Sequence, residues 1–343
     1  MASLKFSAPL GALALVLASG LPSHAQESIL ELPGRGLTFP KPANSAAAVT
    51  VTAMEVRINP SVTMVHYKLT NGGAATIKTT LSVSLPTLDF SDPDVAYAIP
   101  AEDPTNFIGL AARVDGKPAA FTFVQKASLN DKNISATLRQ NKLDLIPIGT
   151  FQNAVAALTP QARQALADAG LIVESGTDAD GNALYFPSWT VETSASRAFV
   201  FDPTKTVDIE LTYKTSVGSS PDTVLRKALR TEPNLSGEVT QYRQDYCIDD
   251  SFYAGLDKIA AAATANIANT AKIREKRIQF DLLDGAPPAP IGDFRLTVDK
   301  ERPDRVVSFC LDNLKRINPT TFEMRASNFT PTANLKILIL GRE

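Results

Sequence analysis

Between Val51 and Pro86 apolar and polar residues alternate with period two, the pattern of strands that bury one face. Met54, Val56 and Ile58 oppose Glu55 and Arg57; Val65, Tyr67 and Leu69 oppose Met64, His66 and Lys68. Ile77, Leu81, Val83 and Leu85 oppose Lys78, Thr80, Ser82 and Ser84, with Thr79 as the one break in the apolar face. Asn59-Pro60-Ser61 and Asn71-Gly72-Gly73 predict tight turns, because Asn and Gly tolerate positive φ, and Pro86 ends the run. The pattern predicts three consecutive antiparallel strands in one layer of a sandwich.

Further along, Phe107 to Val114 and Ala119 to Val124 predict a hairpin around Asp115-Gly116-Lys117-Pro118. The texture then turns helical, with a short helix over 135–140. A firmer one follows over 159–169, with Thr159 as cap, Pro160 at the first position and Gly170 as stop. Alternation returns at Leu184 to Val191, Arg197 to Phe201 and Val207 to Tyr213. Residues 216–241 are polar and rich in Ser, Pro and Gly, and predict a linker or excursion. Phe252, Leu256, Ile259, Ala263 and Ile267 form one helical stripe, with Ser251 as its expected cap. Five strand-like stretches follow, near 273–282, 294–298, 305–311, 321–326 and 335–340.

The expected fold is therefore mainly β with inserted helices (α+β), built as antiparallel β-sandwich-like layers. The expected division is a signal peptide over 1–25, then a β-sandwich-like region over 26–215 carrying a helical insertion at 135–170. Residues 216–343 supply a helix and C-terminal antiparallel strands, disulfide-linked and packed with the first region or beside it. The stretch from residue 26 to about 45 reads as an irregular lead-in.

The first 25 residues have the form of an export address: Lys5, a short apolar run from Leu10 to Ala18, and Ser23-His24-Ala25 as a small-x-small cleavage pattern. No later stretch offers about 18 continuous apolar residues. The expectation is a soluble periplasmic or secreted protein, cut after Ala25. The chain has 343 residues, a net charge of −2 and 44% hydrophobic residues, an ordinary globular composition. Near-neutral charge without a basic stripe argues against nucleic acid as partner.

In an exported chain the even pair Cys247 and Cys310 favours a disulfide, the alternatives being two buried thiols or, less favoured, part of a zinc site. Cleavage leaves one histidine, His66, on the polar face of a strand, so histidine-rich metal sites are excluded by count. No cofactor and no metal are expected. Asp178, Asp180 and Asn182 resemble part of a calcium loop, but Gly181 falls at the fourth position and Trp189 at the twelfth, so a turn is the better reading. Asp249 and Asp250 are either caps of the following helix or a carboxylate pair for hydrolysis. Trp189, with Tyr185 and Phe186, is either core or an apolar ligand contact. Trp189, Asp249 and Asp250 are thus the candidate ligand-contact residues, and no catalytic residue is assigned.

Several short motifs occur in an order that resembles a family of exported bacterial proteins known only as a domain of unknown function. They are Val65-His66-Tyr67-Lys68-Leu69-Thr70-Asn71, Leu85-Pro86, Tyr213-Lys214-Thr215-Ser216-Val217-Gly218 and Tyr246-Cys247-Ile248-Asp249. Ile291 to Val298, Ser308-Phe309-Cys310 and Asn328-Phe329-Thr330-Pro331 complete the set. The resemblance covers most of the chain past residue 25. It implies export and a β-rich fold, and carries no activity with it.

Two functions are compatible with these features. The first is a non-enzymatic binding or structural module of the cell envelope, whose partner is an envelope protein or glycan. The second, suggested by the loop aspartates Asp92, Asp94 and Asp103 and by Asp249-Asp250, is a carboxylate-dependent hydrolase acting on an envelope glycan or ester.

Overall fold

The computed structural model describes residues 28–39, 49–149, 151–264, 273–287 and 289–342. The expected export segment 1–25 lies outside the described residues, as does the expected helical stripe beyond Thr264. Among the described residues, no helix is long and apolar enough to cross a membrane.

The chain folds into antiparallel and mixed sheets with short helices. An eight-stranded sheet is centred on the hairpin Val49–Ile58 and Val62–Asn71, flanked by Thr206–Lys214 and, in parallel, by Ile291–Asp299. A seven-stranded sheet is built on Ile273–Asp281 and Leu335–Arg342, and a five-stranded one on Thr190–Phe201. Val56, Val65, Tyr67 and Leu69 from the first, Leu81 and Val83 from the third, and Phe280 and Ile337 from the second belong to one buried cluster. The facing apolar sides of the layers therefore make a common core, as a sandwich requires. Burying one Leu or Phe in it is worth about 1.5–3 kcal/mol over leaving it in water.

The turn at Asn59 is as expected: its Oδ1 accepts hydrogen bonds from the backbone N–H groups of Ser61 and Val62 (both 2.8 Å). The third strand, Ile77–Ser84, is a correction. It does not pair with Val62–Asn71 but crosses to the five-stranded sheet, where it pairs with Thr190–Phe201 over eight residues. The corner is held by Asn71, which is fully buried. Its amide donates to the carbonyls of Ala75 (2.8 Å) and Phe201 (2.9 Å), and its Oδ1 accepts from Gly73 N–H (2.9 Å). Period-two alternation states which face is buried and says nothing about the partner strand, so a corner and a hairpin look alike.

The hairpin expected over 107–124 is also shorter: Ala111–Val114 pairs with Lys117–Pro118, and Thr122–Leu129 runs in the five-stranded sheet instead. Residues 28–39 are not an irregular lead-in. Ile29–Leu30 and Gly34–Arg35 pair into the seven-stranded sheet, and Leu37 N–H donates to the buried Tyr67 hydroxyl (3.0 Å). Gly36 permits this approach, since a Cβ there would collide with the Tyr67 oxygen. Burial, partly offset by the Leu37 hydrogen bond, raises the Tyr67 pKa.

Helix α1 (Ser135–Gln140) is where the pattern placed it. Helix α2 (Phe151–Ala156) was not foreseen; two buried residues on six leave little periodicity to see. Helix α3 (Pro160–Asp168) matches its expected punctuation, with Thr159 Oγ1 accepting from Ala162 N–H (3.2 Å) and Gly170 at φ 68°. The expected linker over 216–241 is a correction: it holds the strand Gly218–Ser220, helix α4 (Lys227–Arg230) and most of helix α5 (Ser236–Tyr246). Helix α5 shows only Val239, Tyr242 and Tyr246 to the core, at spacings of three and four, too sparse a stripe to stand out of a polar stretch. Helix α6 (Asp250–Thr264) is capped by Asp249 rather than Ser251. Asp249 Oδ1 accepts from Phe252 N–H (2.8 Å) and from the Ser251 hydroxyl (2.8 Å).

On one face of the eight-stranded sheet Arg295 bridges Glu55 (3.2 Å) and Glu323 (2.6 Å), and Arg325 pairs with Glu323 (2.7 Å). The Arg325 and Arg295 hydrogen bonds hold the Glu323 carboxyl below the usual glutamate range against the opposing effect of burial. A carboxyl depressed in the folded state stabilises above its unfolded pKa, and that contribution disappears as pH falls through the folded value. Glu323→Gln should therefore be less stable than wild type at pH 7. The gap should narrow as pH falls below about 4.3, the unfolded glutamate value. Urea denaturation at several pH values measures this; a gap that widens on acidification would refute the assignment.

Candidate functional site

A cleft of about 640 Å³ opens between helix α5, the N-terminal strand Ile29–Leu30 and one face of Ile273–Asp281. That strand carries Glu275, Arg277, Gln279 and Asp281 at alternate positions. One strand face is thus polar although it is largely covered: Glu275 is fully buried and Arg277 is 9% exposed.

Arg277 is the hub. It donates through Nη1 to Glu275 Oε1 (2.5 Å) and Ser220 Oγ (2.9 Å), through Nε to Glu31 Oε2 (3.2 Å), and through Nη2 to the Ile29 carbonyl (3.0 Å). Tyr242, reaching down from α5, donates its hydroxyl to the same Glu275 Oε1 (2.7 Å). One arginine thereby joins the N-terminal strand, Gly218–Ser220 and Ile273–Asp281, and Tyr242 ties the helix to them. Burial disfavours the Arg277 charge, but Glu275 and Glu31 outweigh it, and its pKa is raised. The Tyr242 hydroxyl is raised by burial first and by the Glu275 charge second, so it stays a donor at neutral pH. Glu275 Oε2 is buried with no hydrogen-bond partner among the described residues.

Above this floor the cleft wall is aromatic and polar. The Tyr242 and Tyr246 rings stand 5.6 Å apart and are tilted by 45°. Gln241 and Gln279 add amides. At the rim Lys336 pairs with Asp245 (3.1 Å), and Asp222 pairs with Arg226. Three of the carboxylates lining the cleft, Glu31, Asp222 and Asp245, are thus already ion-paired within the protein.

Among the residues singled out from the sequence, Cys247 and Cys310 are joined as a disulfide with Cα atoms 5.0 Å apart. It pins the end of α5 to the strand Val306–Phe309 that leads into Cys310, and so backs the cleft. Trp189 does not offer a ring to a ligand: it is 1% exposed, packs edge-on against Phe151 (6.0 Å) and donates its indole N–H to the Leu145 carbonyl (2.7 Å). Asp249 is the cap described above, and its hydrogen bonds to Phe252 and Ser251 lower its pKa. Asp250 is exposed in the first turn of α6, outside the lining of the cleft. His66 contacts Asp208 (2.8 Å) on a half-buried sheet face. Asp178 accepts from Asp180, Asn182 and their turn, as a closing turn before Ala183–Pro187 should. The Glu275–Arg277 pair was missed. Its signal was weak, because the strand reads IREKRIQFD and the pair sits in a run of four charged residues that looks like a solvated stretch.

The fold and cleft define a multi-sheet β protein with a charged, tyrosine-walled cleft beside a disulfide. Residues 25–338 match the family model described as Domain of unknown function (DUF4424), and the chain belongs to that family. No curated protein matches it. Among solved structures it is similar to a "putative nutrient binding protein" from Legionella pneumophila subsp. pneumophila str. Philadelphia 1. That match has 11% identity over 91% of this chain and 72% of the other, with a TM-score of 0.43. A two-domain M1 zinc metallopeptidase bound to L-tryptophan is similar at 10% identity over 88% of this chain and 44% of the other, with a TM-score of 0.23. Likenesses this distant carry no function across.

Proposed function

We propose that this protein is an exported binding module of the cell envelope, and that it holds a small, uncharged, hydroxyl-rich ligand of saccharide type in the cleft beside α5. The observation that carries the reading is the cleft's chemistry. The partly exposed Tyr242, with the buried Tyr246 behind it, gives an aromatic wall, Gln241 and Gln279 give amide donors and acceptors, and Glu31, Asp222 and Asp245 give acceptors already held in ion pairs. The ion-paired carboxylates suit binding better than acid–base chemistry, which needs a proton-exchanging group poised near the working pH. The disulfide supports an oxidising compartment, such as a periplasm or the cell exterior.

A calorimetric titration with a panel of mono- and disaccharides tests it. At least one should bind saturably, and Gln241→Ala, an exposed change, should weaken it by about tenfold, the worth of one well-placed hydrogen bond. Absence of saturable binding across the panel, or identical affinity in the variant, would overturn the reading.

A further inference from the structure

A second cavity of about 380 Å³ lies on the far side of the disulfide, between the start of α6 and the strands Val306–Phe309 and Thr321–Phe329. Its apolar wall includes Phe252, Val306, Phe309 and Phe322, the last two meeting edge-to-face at 6.3 Å. Its charged residues are Lys300, Arg305 and Arg316, with the carboxylate of Asp249 at the start of α6.

Cations outnumber carboxylates in the lining itself. Lys300 is 6% exposed, and its ammonium donates to the carbonyls of Pro303 (3.0 Å) and Arg305. It forms no ion pair among the described residues. Arg316 likewise donates to the carbonyls of Asn318 (3.1 Å) and Pro319 (3.0 Å), with no ion pair among the described residues. Arg305 has Glu301 at 3.2 Å. Asp304 pairs with Arg302, Asp299 accepts from Glu301 N–H and Asp249 caps α6; Asp304 and Asp299 act on Lys300 without forming an ion pair with it. Carbonyl dipoles solvate a cation but do not neutralise it, and a buried ammonium without a counter-charge is costly. Burial first and Arg316 second lower the Lys300 pKa, against Asp304 and Asp299, which raise it. An anion seated in the cavity removes that cost.

We infer that this cavity binds a small organic anion with an apolar body, its acid group met by Lys300 and Arg316 and its body by the phenylalanine wall. The site is separate from the saccharide cleft and does not depend on that reading. Charge-assisted hydrogen bonds would supply the recognition, and the apolar wall would favour an amphiphile over a bare inorganic ion.

The experiment uses the protein with its disulfide intact and three probes: octanoate, 1-octanol and inorganic phosphate, followed by amide chemical shifts and calorimetry at neutral pH and low salt. Octanoate should bind saturably, shift the amides around Val306 and Phe309, and bind at least tenfold more tightly than either other probe. Arg316→Gln, on an exposed residue, should weaken octanoate by about tenfold. Lys300→Met should narrow the preference for octanoate over 1-octanol, leaving the share that Arg316 supplies. Three results would overturn the inference: no saturable octanoate binding, 1-octanol or phosphate binding as tightly as octanoate, or unchanged octanoate affinity in Arg316→Gln.

Discussion

Arg277→Ala is expected to lower the unfolding free energy by about 3–5 kcal/mol, the usual cost of removing one partner from a buried pair. The loss comes less from the missing attraction than from what stays behind. Glu275 is fully buried, and without the guanidinium only the Tyr242 hydroxyl faces its charge. The same change frees Glu31, Ser220 and the Ile29 carbonyl, so the N-terminal strand should loosen with it. The companion Glu275→Leu/Arg277→Met removes both charges at similar volume and should recover most of the loss. Urea denaturation at pH 7 measures both variants. A single variant within about 1 kcal/mol of wild type would show that the pair contributes no more than a surface ion pair does.

Cys247→Ser/Cys310→Ser is expected to cost up to about 4 kcal/mol, the chain-entropy ceiling for a loop of this length. The cross-link spans 63 positions. The loop it closes contains α6 and the strands Ile273–Asp281, Ile291–Asp299 and Val306–Phe309, which belong to two different sheets. Without the bond the unfolded chain regains the freedom of that loop, and α5 keeps fewer ties to the strand beside the cleft. Reducing the wild-type protein should reproduce the midpoint shift of the double variant. Equal midpoints for oxidised and reduced protein would mean that packing alone holds α5 in place.

Much of the strand content was legible because burial on one face leaves a period-two trace, as Val65, Tyr67 and Leu69 show. Helix α3 was legible because its punctuation is local: a threonine cap, a proline and a stop glycine act within a dozen residues. The disulfide was favoured by the even cysteine count together with the expected export segment. The corner at Asn71 was not, because its amide is tied to Phe201, 130 residues away. Helix α5 was not, because it takes its stability from tertiary contacts of Tyr242 and Tyr246 rather than from an apolar stripe.

The order of residues alone therefore indicated the longer strands and the faces they turn inward, where α3 begins and ends, and a favoured pairing of the two sulfurs. Those properties depend on neighbours a few positions apart or, for the sulfurs, on there being a single pair. The choice of partner strand was decided only in three dimensions: Ile77–Ser84 joins Thr190–Phe201, and Ile291–Asp299 lies parallel to Val49–Ile58. So were the two cavities. Each is lined by residues from distant parts of the chain, and a charge such as Arg277 or Lys300 acquires its meaning only from what the fold brings, or fails to bring, against it.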